Sequence, residues 1–464
     1  MKNLVLVVSD LHLGGDEVYR ICGTEGQGLL VGFLRWVVAQ AQSVAVHLVL
    51  NGDSVDFLTE PEFRAFTTSD DLATEKLKKI FGNSEEIWNG FRAVLEAGAR
   101  LSILLGNHDL ELSLPGPRRE LLERLGPGKV EFIYDNQALA IGELLIEHGN
   151  QYDRWNKVDH DGLRRIRAVI SRGQDPDSNF KAPPGSRLVV DIMNDLKRDF
   201  NFINLLKPEN QAAVPILGVL RPGVLRKIRR LVPVVAELLM VDTAAIAART
   251  DDGSSGLDAQ DAAAFALADE LAFGEGDCAA AAGNVFSTFK EAWRLIVTRE
   301  ARDLQLQTIR RALYHWAGPN LASFDTRREA PEYLNAARRS AQDGFKVVTY
   351  GHTHLAKRIE LVGDTATYLN SGTWADLMRV PSELLLTQSA VSQGILEQFV
   401  DDLMENRMGR WTSQLATFVR VEMEDTRVIA ADVWRYRAGE VERLPEGQLP
   451  ELIVSAPQGS SLGH

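Results

Sequence analysis

Short apolar runs alternate with amphipathic stretches over the first third of the chain. Leu4 to Val8 predicts a buried strand, Leu29 to Ala41 has its apolar residues at helical spacing, and Val44 to Leu50 predicts a strand that stops at Asn51-Gly52-Asp53. A helix over Glu85 to Ala97 leads into a strand over Leu101 to Leu105, which stops at Gly106-Asn107-His108-Asp109. Ala138 to Ile141 and Leu144 to Glu147 predict a hairpin around Gly142-Glu143, followed by His148-Gly149. Apolar strands separated by helices indicate an α/β layered core. Ligands gather at the carboxyl ends of the strands in such cores, and each polar cluster falls at such an end.

The texture changes between Trp155 and Gly344, where Ala, Leu and Arg recur with helical periodicity, as in Arg187 to Phe202 and Asn284 to His315. This predicts a helical insertion the size of a domain. The α/β pattern resumes at Lys346 to Tyr350, which runs into Gly351-His352-Thr353-His354, and continues with Thr367 to Gly372. A helical segment over Gln393 to Met404 precedes two strands, Phe418 to Met423 and Val428 to Tyr436, around a turn at Asp425-Thr426. The expected organisation is a discontinuous core of residues 1–154 and 345–440, an insertion over 155–344, and a frayed tail over 441–464.

Composition narrows the class. The 464 residues are 45% hydrophobic and 25% charged, with a net charge of -13. An acidic total argues against non-specific nucleic-acid binding, which depends on neutralising phosphates with Lys and Arg. The two cysteines, Cys22 and Cys278, exclude a disulfide scaffold or a thiolate zinc module and fit a reducing compartment. The first apolar run is too short for a signal-peptide core, and no stretch approaches the roughly 18 apolar residues of a membrane span. A cytoplasmic protein is expected.

Candidate chemistry lies in the histidines. Of the nine, five fall in the polar clusters Asp10-x-His12, Gly106-Asn107-His108-Asp109, His148-Gly149 and Gly351-His352-x-His354, and Gly52-Asp53-x-x-Asp56 adds two carboxylates. Four histidines (His12, His148, His352 and His354) and the oxygen donors Asp10, Asp53 and Asn107, with no thiolate, suit divalent Mn, Fe or Zn. Taken together and in this order, the clusters resemble the calcineurin-like metallophosphoesterase superfamily. The resemblance covers about Met1 to Tyr152 and Lys346 to Tyr436 and leaves out the helical insertion.

The resemblance implies a four-layer α/β/β/α sandwich core with an inserted all-helical cap. It implies one metal held by Asp10, His12, Asp53 and His354 and a second by Asp53, Asn107, His148 and His352, with Asp53 bridging and manganese favoured. Two such cations bind phosphate oxygens and acidify a water that attacks phosphorus in line. In the family, the histidine corresponding to His108 protonates the leaving oxygen and the residue corresponding to Asp56 orients it, a catalytic pair. Asp109 is read as a further carboxylate behind the ligands. Asn370-Ser371-Gly372 matches a turn that the family places after a late core strand.

The expected activity is hydrolysis of a phosphodiester or pyrophosphate in a phosphorylated small molecule or lipid. A phosphomonoesterase acting on a nucleotide, sugar phosphate or phosphoprotein is the alternative, followed by a lipid-linked pyrophosphate hydrolase or a nuclease; a non-enzymatic scaffold ranks last. Asp10-Leu11-His12-Leu13 and the insertion are similar to the UDP-2,3-diacylglucosamine hydrolases, which commonly carry Arg where this chain has His108. Asp153 and Arg154 are candidate substrate contacts or, equally, members of a structural ion pair. Residues 221–241 are basic and then apolar, which fits a cap helix or, with about half that weight, a peripheral membrane contact. No stable nucleic-acid partner is expected, and the sequence leaves the oligomeric state open.

Overall fold

The computed structural model describes residues 2–176, 180–198, 200–205, 306, 309–310, 325–361, 366–381, 390–447 and 453–454. Cys278, the acidic stretch 251–277, the 221–241 segment and most of 284–315 lie outside the described residues. The chain is mixed α/β, with parallel and antiparallel sheets.

The first strands follow the apolar runs: β1 (Lys2–Val8), β2 (Ala45–Asn51), β3 (Arg100–Leu104) and β4 (Lys129–Ile133). They are joined by the helices α1 (Thr24–Ala41), α2 (Asp70–Asn83), α3 (Glu85–Glu96) and α4 (Pro115–Leu125). Ser69 starts α2 by accepting a hydrogen bond from Leu72 N at 3.2 Å, with Asp70 and Asp71 in the first turn where carboxylates meet the positive end of the helix. Leu30, Phe33, Leu34 and Val37 of α1 and Trp88, Phe91 and Val94 of α3 are buried together with Leu4, Leu6 and Val8 of β1. Period-2 strand faces and period-3.6 helix faces thus share one core.

A hairpin, β5 (Leu139–Ile141) and β6 (Leu144–Ile146), comes next, and then α5 (His160–Ile170). After residue 325 come β7 (Val347–Tyr350), β8 (Lys357–Glu360), β9 (Thr367–Asn370), β10 (Asp376–Met378), β11 (Val380–Pro381), β12 (Thr412–Gln414), β13 (Thr417–Glu424), β14 (Arg427–Arg437) and β15 (Glu440–Arg443). One sheet has seven strands in the order β15-β14-β13-β1-β2-β3-β4; a second has five, β5-β6-β7-β9-β8. Strands β1 to β4 are parallel, and β13 joins antiparallel to β1. In the five-stranded sheet β6 and β7 are parallel neighbours, Leu144 opposite Val347 and Ile146 opposite Thr349. That pairing brings the two ends of the long intervening segment side by side.

Two compact units divide the chain. The first is Met1–Arg198, Ser323–Leu377 and Gln414–Leu449, and it contains both large sheets. It therefore takes in 155–198 and 323–344, which the sequence pattern assigns to the insertion. The physical reason at the first boundary is α5, whose Ile166 belongs to the same buried cluster as β1 to β3. The second unit draws on Asp199–Ala322, Met378–Ser413 and Pro450–His464. Its helix Ala390–Met404 supplies Phe399, which packs edge-on against Trp411 at 5.0 Å, and buried Asp402, which accepts from Trp411 Nε1 at 2.9 Å. Among the described residues, no helix is long and apolar enough to cross a membrane.

Candidate metal centre

Five parallel-strand ends deliver the polar clusters: β1 leads to Asp10 and His12, β2 to Asp53 and Asp56, β3 to Asn107 and His108, β6 to His148, and β7 to His352 and His354. All lie in the first unit. Asp10, His12, Asp53, Asp56, Asn107 and His148 are buried. The ligand atoms of Asp10, His12 and His354 lie within 4.8 Å of one another, as do those of Asp53, His148 and His352, and those of His12, Asp56 and His108.

The loops are tied to one another by their backbones. Asp10 N donates to Gly52 O at 3.1 Å, and His12 N to Asp53 O at 2.9 Å. Across the long segment between β6 and β7, His352 N donates to Asp10 Oδ2 at 2.9 Å. Gly106 has to be a glycine, because a Cβ there would collide with Asp53 Oδ1. Asn370, at the end of β9, donates from Nδ2 to Gly351 O at 2.7 Å and to Thr353 Oγ1 at 3.1 Å, which shapes the loop carrying His352 and His354.

The side chains converge with their lone pairs inward. His12 Nδ1 donates to Asp56 Oδ2 at 3.0 Å, which leaves Nε2 facing His354 Nε2 at 3.2 Å. His148 Nδ1 donates to Asn51 O at 2.8 Å, which leaves Nε2 3.2 Å from Asp53 Oδ2. Asp53 Oδ2 is also 3.8 Å from His12 Nε2, so this carboxylate lies between the two ligand groups. Asp10 Oδ1 and Asn107 Oδ1 are buried and have no hydrogen-bond partner among the described residues. Buried acceptors left bare are costly, and a cation held between imidazole nitrogens and carboxylate or amide oxygens removes that cost. These groups could hold a metal ion.

Charge follows from the same geometry. Burial opposes ionisation of Asp53, but the charges of His148 and His108 and the His148 contact outweigh it and hold the carboxyl well below its usual range. Burial likewise opposes ionisation of Asp56, and the charge and hydrogen bond of His108, with the His12 hydrogen bond, pull it well below that range. Burial disfavours a charged His148, yet the adjacent Asp53 carries its pKa up to about 10. A cation there would take the place of that proton.

His108 differs from the others. Its backbone N donates to Asp53 Oδ1 at 2.8 Å, and its ring turns to Asp56 Oδ2, 3.0 Å from Nδ1. Its side chain is 17% exposed, against 11% for His354, 8% for His352 and 1% and 2% for His12 and His148, so His108 is the most exposed imidazole of the site. Asp109 receives Ser54 N at 2.9 Å and Gly106 N at 2.7 Å, clamping the loops after β2 and β3. Burial, with the Asp53 charge adding to it, pushes its carboxyl up to about 7.

Of the two residues read as substrate contacts, Asp153 is engaged inside the site, with Oδ2 3.0 Å from His352 Nε2, and Arg154 is half-buried beside it. Cys22 is fully buried, with Sγ 3.3 Å from Trp374 O. Two contributors lie outside the sequence reading. Ser9 Oγ donates to Asp10 Oδ2, and Asn156 accepts from Asn107 Nδ2 at 3.3 Å. Neither belongs to a motif; Ser9 could have been suspected from its place between β1 and Asp10, whereas Asn156 sits in a loop without a local signal. No protein-family model matches the chain, and no curated protein matches it.

Proposed function

We propose that this chain is a dinuclear metal-dependent phosphoesterase that hydrolyses phosphodiesters or pyrophosphates. The observation that carries the reading is the convergence of Asp10, His12 and His354 on one side of Asp53, and of His148 and His352 on the other, beside the accessible imidazole of His108. The ligand groups are Asp10, His12, Asp53 and His354 for one cation and Asp53, Asn107, His148 and His352 for the other, with manganese favoured. Bound there, the cations supply positive charge for phosphoryl oxygens and acidify a water.

The chain's own residues do the rest. Asp56 holds the His108 ring by Nδ1, which aims Nε2 away from the carboxylate, as an acid that carries its proton on Nε2 requires. In that state His108 donates its Nε2 proton to the leaving oxygen. Buried walls, including Leu11, Leu13 and Phe57, keep bulk water from the carboxylates behind the site. We read the fold as the four-layer sandwich. Leu4, Leu6 and Val8 face the helices, while Val5 and Val7 on the opposite face of β1 are just as buried, which supports a second sheet behind the first. The helical segment would act as the cap that selects substrate.

Turnover of bis-p-nitrophenyl phosphate and p-nitrophenyl phosphate in Mn2+ tests the reading. The diester is expected to be the better substrate, and both rates should vanish with EDTA. A much faster monoester would replace diesterase by monoesterase, and no metal-dependent turnover of either would remove the phosphoesterase reading.

A further inference from the structure

One carboxylate touches the second ligand group without belonging to it. Asp153 follows the short turn Asn150–Tyr152, directly after His148-Gly149. Its Oδ2 lies 3.0 Å from His352 Nε2 and accepts from Asn156 Nδ2 at 2.7 Å, while Oδ1 accepts from Trp155 N at 2.8 Å. Asn156 Oδ1 in turn accepts from Asn107 Nδ2 at 3.3 Å. The path His352, Asp153, Asn156, Asn107 thus joins ligand candidates from the loops after β7 and β3.

The path has a direction set by donor and acceptor chemistry. An ionised carboxylate only accepts, so the proton on the His352 ring sits at Nε2, and Nδ1 keeps its lone pair. Asn156 has its amide nitrogen committed to Asp153, which turns its oxygen toward Asn107. Asn107 gives its own nitrogen to that oxygen, so its Oδ1 is the end left over, and that oxygen is buried with no hydrogen-bond partner among the described residues. An amide binds a cation through oxygen alone. The loop is held closely as well. Asn156 O accepts from Asn150 Nδ2 at 2.9 Å, Gly185 N donates to Trp155 O at 2.8 Å, and a Cβ on Gly185 would collide with Asn156 Oδ1.

We propose that Asp153 and Asn156 are positioning residues for one of the two cations, jointly setting the His352 tautomer and the orientation of the Asn107 amide. This rests on the dinuclear reading and deepens it. The other cation's group, Asp10, His12 and His354, has no member on this path, so the effect is selective. Outer carboxylates and amides of this kind commonly change metal affinity by about 10- to 100-fold.

The experiment is equilibrium dialysis of the full chain against Mn2+, with visible absorption of the Co2+-loaded protein as a readout of ligand geometry. Wild-type protein should bind two equivalents. Asp153→Ala and Asn156→Ala should each weaken the second equivalent by about 10- to 100-fold, leave the first unchanged and alter the Co2+ spectrum. Because both act along one path, the double variant should be little worse than Asp153→Ala alone. Circular dichroism of the metal-free proteins checks folding, and Asn156→Ala, which keeps every charge, decides the matter if Asp153→Ala does not fold. Wild-type binding of two equivalents, with both variants matching it in affinity and spectrum, overturns the relay alone. Fewer than two equivalents on wild-type protein overturns the dinuclear reading and the relay together.

Discussion

Asp10, His12, Asp53, His352 and His354 all have positive φ, between 44° and 67°. This left-handed region is uncommon for residues with a side chain and costs about 1 kcal/mol or more at each. Strain concentrated at five ligand candidates has a geometric purpose, since each such residue bends the chain back at a strand end and turns its side chain inward. The neighbouring backbone bonds, such as His12 N to Asp53 O, hold the bends in place. None of this was legible in the sequence, where the same residues are visible only as letters in motifs; their identity as candidates was legible, their conformation was not. His108 carries the residue-scale prediction. His108→Ala should retain its metal but turn over about 100- to 10,000-fold more slowly on a diester with a poor leaving group, the usual worth of a positioned acid. On a nitrophenyl ester, whose leaving oxygen needs little protonation, the loss should be much smaller. Equal losses on both substrates would sink the acid role.

Elements carry a separate lesson, and His47 of β2 illustrates it. Its Nε2 lies 2.8 Å from Ser102 Oγ on the neighbouring β3, and burial, with the nearby Arg100 charge, lowers its pKa to about 4. A histidine whose folded pKa is below its unfolded value contributes stability that is present above about pH 6.5 and is lost as the pH falls toward 4. The urea midpoint of wild-type protein should therefore drop more steeply between pH 7 and pH 4.5 than that of His47→Gln, which keeps a partner for Ser102 and cannot titrate. Parallel curves would show that the ring is not held neutral. Elements with strong periodicity, such as β1, β2, α1 and α3, were legible to within a few residues, because both of their faces obey one pattern. Strands β4 and β8 were not, since edge strands are half-buried and short; the burial of Lys129–Ile133 is partial from Val130 to Ile133. The stretch from Arg187 to Phe202, helical in its periodicity, contains a turn of α-helix, a π-helical segment over Val189–Met193, another α-turn and the start of a 3-10 turn over Asn201–Leu205. Periodicity identifies apolar faces but does not distinguish one hydrogen-bond pitch from another.

At the scale of the molecule, the antiparallel pairing of β13 with β1 is one long-range connection and the parallel pairing of β6 with β7 is another. The latter joins residues on either side of the long segment, and loop closure of that length is entropically unfavourable before any contact forms. The motif gap before His352 already announced a long insertion, but α5 could not be assigned to the core from sequence, because amphipathic helices look alike whether they pack on a sheet or on one another. The ligand candidates straddle the same gap, running from Asp10 to His148 on one side and from His352 to His354 on the other. A bound cation would therefore cross-link the two stretches in the folded state alone, and by linkage it should stabilise that state. At a cation concentration 100 times Kd the gain is about 2.7 kcal/mol per site, enough to raise Tm by a few degrees. Scanning calorimetry of wild-type protein in Mn2+ and in EDTA should show that upward shift. His352→Ala, which keeps the β6–β7 pairing but removes a ligand from the far side of the gap, should shift less. Identical Tm values for wild-type protein in Mn2+ and EDTA would mean that the buried carboxylates and imidazoles stabilise one another as they stand, without a cation between them.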